Sequence, residues 1–159
     1  MIFATVGTQL PFDRMIQSLD KWLQNQEVKD CFAQISDSQY KPKHMKFAPF
    51  LSPSEFANLL ANCKVIVSHA GMGTVLSALQ IQKPIIIMPR LAAYGEHRND
   101  HQLATTEGLS NREGIHIANS SAELHEYLDN YQDLTAGVEI YNGAAPSLIS
   151  QVSDFIKSA

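Results

Sequence analysis

The sequence predicts an α/β fold, a parallel sheet covered by helices on both faces. Short unbroken apolar runs such as Val65-Ile66-Val67 and Pro84 to Met88 lack the polar alternation of a one-sided sheet, as strands buried on both faces do. These runs alternate with amphipathic stretches of helical length from one end of the chain towards the other. The 159 residues, 45% of them apolar, suffice for one domain with a buried core.

Ile2 to Val6 reads as the first strand, stopping at Gly7. Phe12, Met15, Ile16, Leu19, Trp22 and Leu23 then recur at helical spacing and form one apolar stripe. Cys31 to Ile35 and Lys46 to Phe50 are the next two strands. Ser52-Pro53-Ser54-Glu55 joins an N-cap serine, a proline at the first helical position and a capping-box glutamate, with Phe56, Leu59, Leu60 and Cys63 as the buried face behind it. The strand from Val65 runs into the glycine turn Gly71-Met72-Gly73, and a helix follows through Thr74, Val75, Leu76, Ala78 and Leu79. Pro84 to Met88 is a fifth strand, Asn99 to Thr106 a weakly amphipathic helix and Ile115 to Ala118 a last strand. Ser120 and Glu123 repeat the capping box ahead of Leu124, Tyr127 and Leu128. The domain is expected over residues 1–135. In residues 136–159, Gly137 to Pro146 reads as a loop, and the Pro146 helix, with Leu148, Ile149, Val152, Phe155 and Ile156 on one side, either packs on its own domain or docks another chain.

Ligands of such sheets bind beyond the carboxyl ends of the strands, which here carry Gly7 to Phe12, Ser68 to Thr74 and Arg90 to Gln102. A glycine turn opening a helix leaves the first helical amides without intrahelical partners, an arrangement that attracts anions and phosphate above all. The same turn also has a purely steric explanation. It is neither a G-x-G-x-x-G fingerprint nor a P-loop with its lysine. Gly7-Thr8-Gln9 and the Gly95 to Gln102 segment, GEHRNDHQ, add hydrogen-bonding groups at the same edge, and Arg90 and Arg98 could balance phosphate charge there, although an isolated arginine is more often a surface residue. His97 and His101 stand four apart, yet their flanks do not match a zinc-binding helix and only His69 offers a third ligand, so no metal is expected.

Net charge is −4 without a long basic run, which argues against nucleic acid as a partner. No apolar run reaches the roughly 18 residues of a membrane span, and no secretory signal precedes the first strand. A cytoplasmic location with Cys31 and Cys63 as buried free thiols is expected. No serine lies in a G-x-S-x-G elbow, which disfavours an α/β-hydrolase.

MIFATVGTQLPFDRMI, SHAGMGTVLSAL and KPIIIMPR followed by GEHRNDHQLA together resemble the C-terminal, donor-binding half of GT-B glycosyltransferases of family 28. The resemblance covers roughly residues 1–130 and implies a Rossmann-like domain, one half of a GT-B fold. It is nearest to split enzymes in which this half is a separate soluble subunit. These include catalytic subunits of bacterial exopolysaccharide and capsule transferases, and the eukaryotic subunit that adds the second GlcNAc to a dolichol-linked oligosaccharide. The implied partners are a UDP-sugar, a lipid-linked saccharide acceptor and a membrane-associated subunit that recruits the chain to the membrane's inner face. No cofactor is implied, the UDP-sugar being substrate.

Carried over by position, the resemblance makes Gly71, Met72, Gly73 and Thr74 contacts to the diphosphate or nearby ribose, with Gly7 and Thr8 as the phosphate-side loop. Glu96, Asn99, Asp100 and Gln102 fall in the segment that touches the donor sugar. His69 sits beside the turn and is the within-chain fallback for a general base, the base itself being expected on the partner. Several relatives carry a ribose-binding glutamate where this chain has Ser77, a single hydroxyl. A stand-alone nucleotide-sugar enzyme and a non-catalytic nucleotide-binding protein are the competing expectations.

Overall fold

A computed structural model describes residues 1–28 and 30–137. Six parallel strands form one sheet in the order β3-β2-β1-β4-β5-β6. They are β1 (Ile2–Thr5), β2 (Cys31–Gln34), β3 (Lys46–Ala48), β4 (Val65–His69), β5 (Ile85–Met88) and β6 (Ile115–Ile117). The helices are α1 (Asp13–Gln24), α2 (Pro53–Asn62), α3 (Met72–Gln80), α4 (His101–Leu109) and α5 (Ser121–Asp129), with a 3-10 turn at Ala92–Tyr94. The strand order reverses between β1 and β4, whose paired registers run from Ile2 opposite Val65 to Thr5 opposite Ser68. That reversal is the switch point at which doubly wound sheets open a crevice.

Alternate residues of each central strand enter different cores. Ile2, Ala4, Val65, Val67, Ile86 and Met88 pack with Met15, Ile16, Leu19 and Trp22 of α1 and with Leu124 and Leu128 of α5. Phe3, Ile66, Ile85 and Ile87 pack on the other face with Leu60 of α2, Val75, Ala78 and Leu79 of α3, and Leu109 of α4. Burial on both faces is why these strands read as unbroken apolar runs.

The capping box at Ser52 forms as expected: the serine side chain accepts from Glu55 N, and Glu55 Oε2 accepts from Ser52 N at 2.8 Å. The expected face of α2 is buried only in part, however: Leu60 and Cys63 are covered while Phe56 and Leu59 are half-buried. β3 stops at Ala48 rather than Phe50 because it is an edge strand closed by Pro49, and Phe50 is left 50% exposed. α4 begins two residues later than expected, at His101, because Asn99 and Asp100 use their side chains in turn contacts ahead of it. Cys31 and Cys63 are free and buried, and burial pushes the Cys31 thiol up to about 12. The Pro146 helix lies outside the described residues.

One buried charge was not anticipated. Asp20 of α1 accepts hydrogen bonds from Tyr40 Oη at 2.6 Å, Lys43 N at 3.0 Å and His44 N at 2.7 Å, and so ties the loop before β3 to the helix. Burial alone raises a carboxyl, but these donors outweigh it and hold Asp20 below the usual carboxylate range. Asp20→Asn replaces an acceptor with a donor facing backbone N–H groups. Urea unfolding should show a loss of about 2–3 kcal/mol, the scale of hydrogen bonds to a charged group. Since the folded-state pKa is lowered, the wild-type advantage is full above the usual carboxylate range and disappears as pH falls through the lowered value.

Candidate functional site

The carboxyl ends of β1, β4 and β5 and the N-terminus of α3 enclose a pocket of about 400 Å³ lined by Val6 to Leu10, His69, Gly71, Gly73, Thr74, Arg90, His97 and Gln102. Its first wall is the loop after β1. Thr5 Oγ1 donates to Gln34 Oε1 at 2.9 Å and accepts from Gly7 N at 3.1 Å, fixing a turn in which Gly7 has φ +75°, a conformation that favours glycine.

The second wall is the glycine turn, and its glycines are there for space rather than for unusual dihedrals. Gly71 has φ −88° and ψ 119°, and Gly73 is helical. A Cβ on Gly71 would lie 2.3 Å from His69 Nε2, and one on Gly7 would lie 2.9 Å from His69 Cε1. The imidazole edge thus lies close to both glycines. A Cβ on Gly73 would meet no atom within 4 Å. Gly71 is the N-cap of α3 and no side chain caps the helix, so the amides of Met72, Gly73 and Thr74 are left for a ligand.

His69 is mostly buried, and its Nδ1 has no hydrogen-bond partner among the described residues. Burial, reinforced by the nearby Arg90 guanidinium, pulls its pKa down to about 4, with the Thr5 backbone offsetting only part of the shift. At neutral pH the ring is uncharged and a weak base. Its place in the pocket suits hydrogen bonding to a ligand better than proton abstraction.

Gln102 Oε1 accepts from Ala70 N at 3.3 Å and Arg90 N at 3.0 Å, joining the ends of β4 and β5 beneath the pocket. Ser77 lies in an adjoining hollow of about 420 Å³ with Leu51, Pro53, Phe56, Gln34 and Thr5, which shares Gly7, Thr8, Gly73 and Thr74 with the first. Its hydroxyl donates to Gly73 O at 2.9 Å, so it faces a ligand as an acceptor.

The structure therefore brings together Gly7, Thr8, His69, Gly71, Gly73, Thr74 and Gln102, with Ser77 alongside. Met72 does not line the pocket, and its side chain is 45% exposed. Glu96, Asn99 and Asp100 do not line the pocket. Both Glu96 carboxylate oxygens are engaged, Oε1 by Arg14 Nε at 2.7 Å and Oε2 by Arg14 Nη2 and Leu91 N, each at 2.9 Å. Asn99 Oδ1 lies 3.1 Å from His97 Nδ1, and Asp100 Oδ1 accepts from Ala92 N at 2.9 Å. No group of three His, Cys, Asp or Glu side chains among the described residues is placed to hold a metal ion.

Of the two arginines that the sequence offers as phosphate partners, Arg90 lines the pocket and Arg98 does not. An isolated arginine usually sits at the surface, whereas this one is 2% exposed. The available signal was its position, directly after the Pro89 that closes a wholly buried strand.

The profile of the glycosyltransferase family 28 C-terminal domain matches residues 1–139. The chain belongs to this family. Among curated relatives of the family-28 domain is the UDP-N-acetylglucosamine--N-acetylmuramyl-(pentapeptide) pyrophosphoryl-undecaprenol N-acetylglucosamine transferase of Prochlorococcus marinus (strain MIT 9312), 31% identical over 72 residues. That match covers 43% of this chain and 19% of the relative, so the chain spans about a fifth of that protein's length. MurG of Acinetobacter baumannii superimposes with a TM-score of 0.68 at 20% identity, covering 100% of this chain and 50% of that one. ALG13 superimposes with a TM-score of 0.58 at 13% identity, covering 95% of this chain and 93% of that one. These likenesses establish the fold, a Rossmann-like half of a GT-B glycosyltransferase. No helix among the described residues is long and apolar enough to cross a membrane.

Proposed function

We propose that this family-28 domain binds the UDP-sugar donor of an inverting glycosyltransferase that extends a lipid-linked saccharide in exopolysaccharide or capsule biosynthesis. The observation that carries this reading is the pocket at the β1/β4 switch point, where the uncapped amides of α3 face the loop from Gly7 to Leu10. An uncapped helix start offers N–H donors and a positive partial charge to a diphosphate. The adjoining hollow, with Phe56, Leu51 and the acceptor Ser77, has room for the nucleoside. The curated relative named above is a transferase whose name includes a UDP-sugar and a lipid pyrophosphate, which supports the same substrate classes here.

In the proposed reaction an acceptor sugar hydroxyl attacks the anomeric carbon, the bond to the diphosphate oxygen breaks, and UDP departs with inversion. The amides of Met72 to Thr74 stabilise the charge that develops on the leaving group, so no metal is required. A base must take the hydroxyl proton. His69, with its pKa near 4, is poorly suited to that, and we assign the base to a membrane-associated subunit that also supplies the acceptor wall.

Calorimetry of the purified chain should detect UDP and UDP-sugar binding, and radiolabelled sugar transfer should appear only when membranes carrying the partner are added. No heat with UDP would overturn donor binding. Full transfer by the chain alone would overturn the divided cleft.

A further inference from the structure

Arg90 is a buried cation without a counter-ion. It is 2% exposed, and no carboxylate among the described residues lies within ion-pair distance of it. The nearest candidate, Glu96, is already paired with Arg14. Nη2 of Arg90 donates to the carbonyls of Val6 at 2.8 Å and Leu10 at 2.6 Å, while Nε is buried with no partner at all. The guanidinium carbon also sits 5.2 Å from the centre of the Phe12 ring. A cation–π contact is weak beside the cost of desolvating a guanidinium, so the ring and two carbonyls leave much of the burial uncompensated. Buried charges are normally paired. The arginine lines the same pocket as the uncapped start of α3, so two independent positive features face one space.

We propose that Arg90 supplies the missing half of an ion pair with the ligand: its guanidinium contacts the diphosphate oxygens from the β5 side while the α3 amides hold them from the β4 side. The proposal rests on the donor-binding reading above and adds the residue that balances the phosphate charge. Because Nη2 is held by the loop from Gly7 to Leu10, the same side chain couples anion binding to the wall that closes the pocket. The arginine makes the site cationic and, after burial, is the second cause that keeps the neighbouring His69 neutral, which leaves that ring free to hydrogen-bond the anion.

The experiment compares calorimetric titrations of uridine, UDP and inorganic pyrophosphate into wild type, Arg90→Met and Arg90→Lys. Arg90→Met should weaken UDP and pyrophosphate binding by about 10- to 100-fold, the range of charge-assisted hydrogen bonds. Uridine binding should change by less than about threefold, because those bonds act on phosphate. Arg90→Lys keeps the charge without the planar fork and should recover part of the loss. A purely structural arginine would weaken uridine and UDP together, and an unchanged ratio of the two affinities in both variants overturns the proposal. Should Arg90→Met fail to fold, the Lys variant and the wild-type chain still decide: pyrophosphate should shift the Arg90 Nε–H resonance, and no shift at saturation overturns direct contact. Pyrophosphate binding without UDP binding would sink the nucleotide-sugar reading and leave the anion site standing. UDP binding insensitive to Arg90 would do the reverse. Wild type that binds neither would overturn both.

Discussion

Replacing Gly71 with alanine is expected to weaken UDP binding by about 10- to 100-fold, the scale of losing a hydrogen bond to a charged group. The new methyl would sit 2.3 Å from His69 Nε2 and 2.7 Å from Cε1. A flexible side-chain end could swing clear of such a contact, but this ring is mostly buried and its Cε1–Nε2 edge also lies close to Gly7, 2.9 Å from the position a Cβ there would take. The imidazole must therefore move into the pocket, or the loop after β1 must move away from it. Either shift disturbs the cradle, at a stability cost of about 1–3 kcal/mol, as overpacking usually brings. Gly73→Ala separates that effect from a generic glycine effect. Its Cβ would enter open space on a helix, so the folded chain should be unharmed or about 0.5–1 kcal/mol more stable. UDP binding should still weaken, because that open space adjoins both hollows where the ligand must approach. Thermal melts and UDP titrations on the two variants check this. If Gly71→Ala binds UDP like wild type, the imidazole is not confined against the glycines.

The layout of the sheet was legible because both-face burial leaves a direct mark on sequence: Ile66, Val67, Ile85, Ile86 and Ile87 are apolar without interruption since each face has its own core. Capping at Ser52 and Ser120 was legible for a similar reason, since the bonds form within a few residues of chain, although Glu123 accepts from Asn119 N and leaves the second box half-formed. The glycine turn lines the pocket at the sheet edge, but spacing could not say why glycine was needed, because the answer is the ring of His69 two residues back, close also to Gly7 far away in sequence. Glu96 shows the limit of local reading most clearly. Its place in a dense polar segment made it a donor contact by resemblance, and the structure instead engages both its oxygens with Arg14, 82 residues away, and with Leu91 N. Arg90 was legible as a phosphate counter-charge but not as a buried one, and Asp20 was missed, both for the converse reason. Burial of a charge is decided by what the other elements place around it, and only Arg90, directly after the Pro89 that closes a buried strand, carries a local hint of it.

Folding stability should drop by about 3 kcal/mol between pH 7 and pH 4 through His69 alone. Its pKa falls from 6.5 to about 4 on folding, with burial the main cause and the Arg90 guanidinium the second. Above 6.5 the ring is neutral in both states and the folded chain has the full advantage. Between 6.5 and about 4 the unfolded chain takes up a proton that the folded chain refuses, so stability declines as pH falls and levels off once the folded ring is also protonated. Urea unfolding at pH 7, 6, 5 and 4 measures the decline. His69→Gln, which cannot titrate, should flatten it, and the difference between the two curves isolates this group from carboxylates such as Asp20 that act lower on the scale. Parallel curves for wild type and His69→Gln would mean that the ring is not desolvated against Gly7 and Gly71. Pyrophosphate or UDP in the pocket offers His69 an anion, so saturating ligand should move its titration upward, and binding at about pH 5 should draw protons from solution while binding at pH 8 should not draw any to this ring. Calorimetry in buffers of different ionisation enthalpy reads that uptake directly. An uptake absent at both pH values would place the anion away from His69 and therefore away from the α3 N-terminus that flanks it.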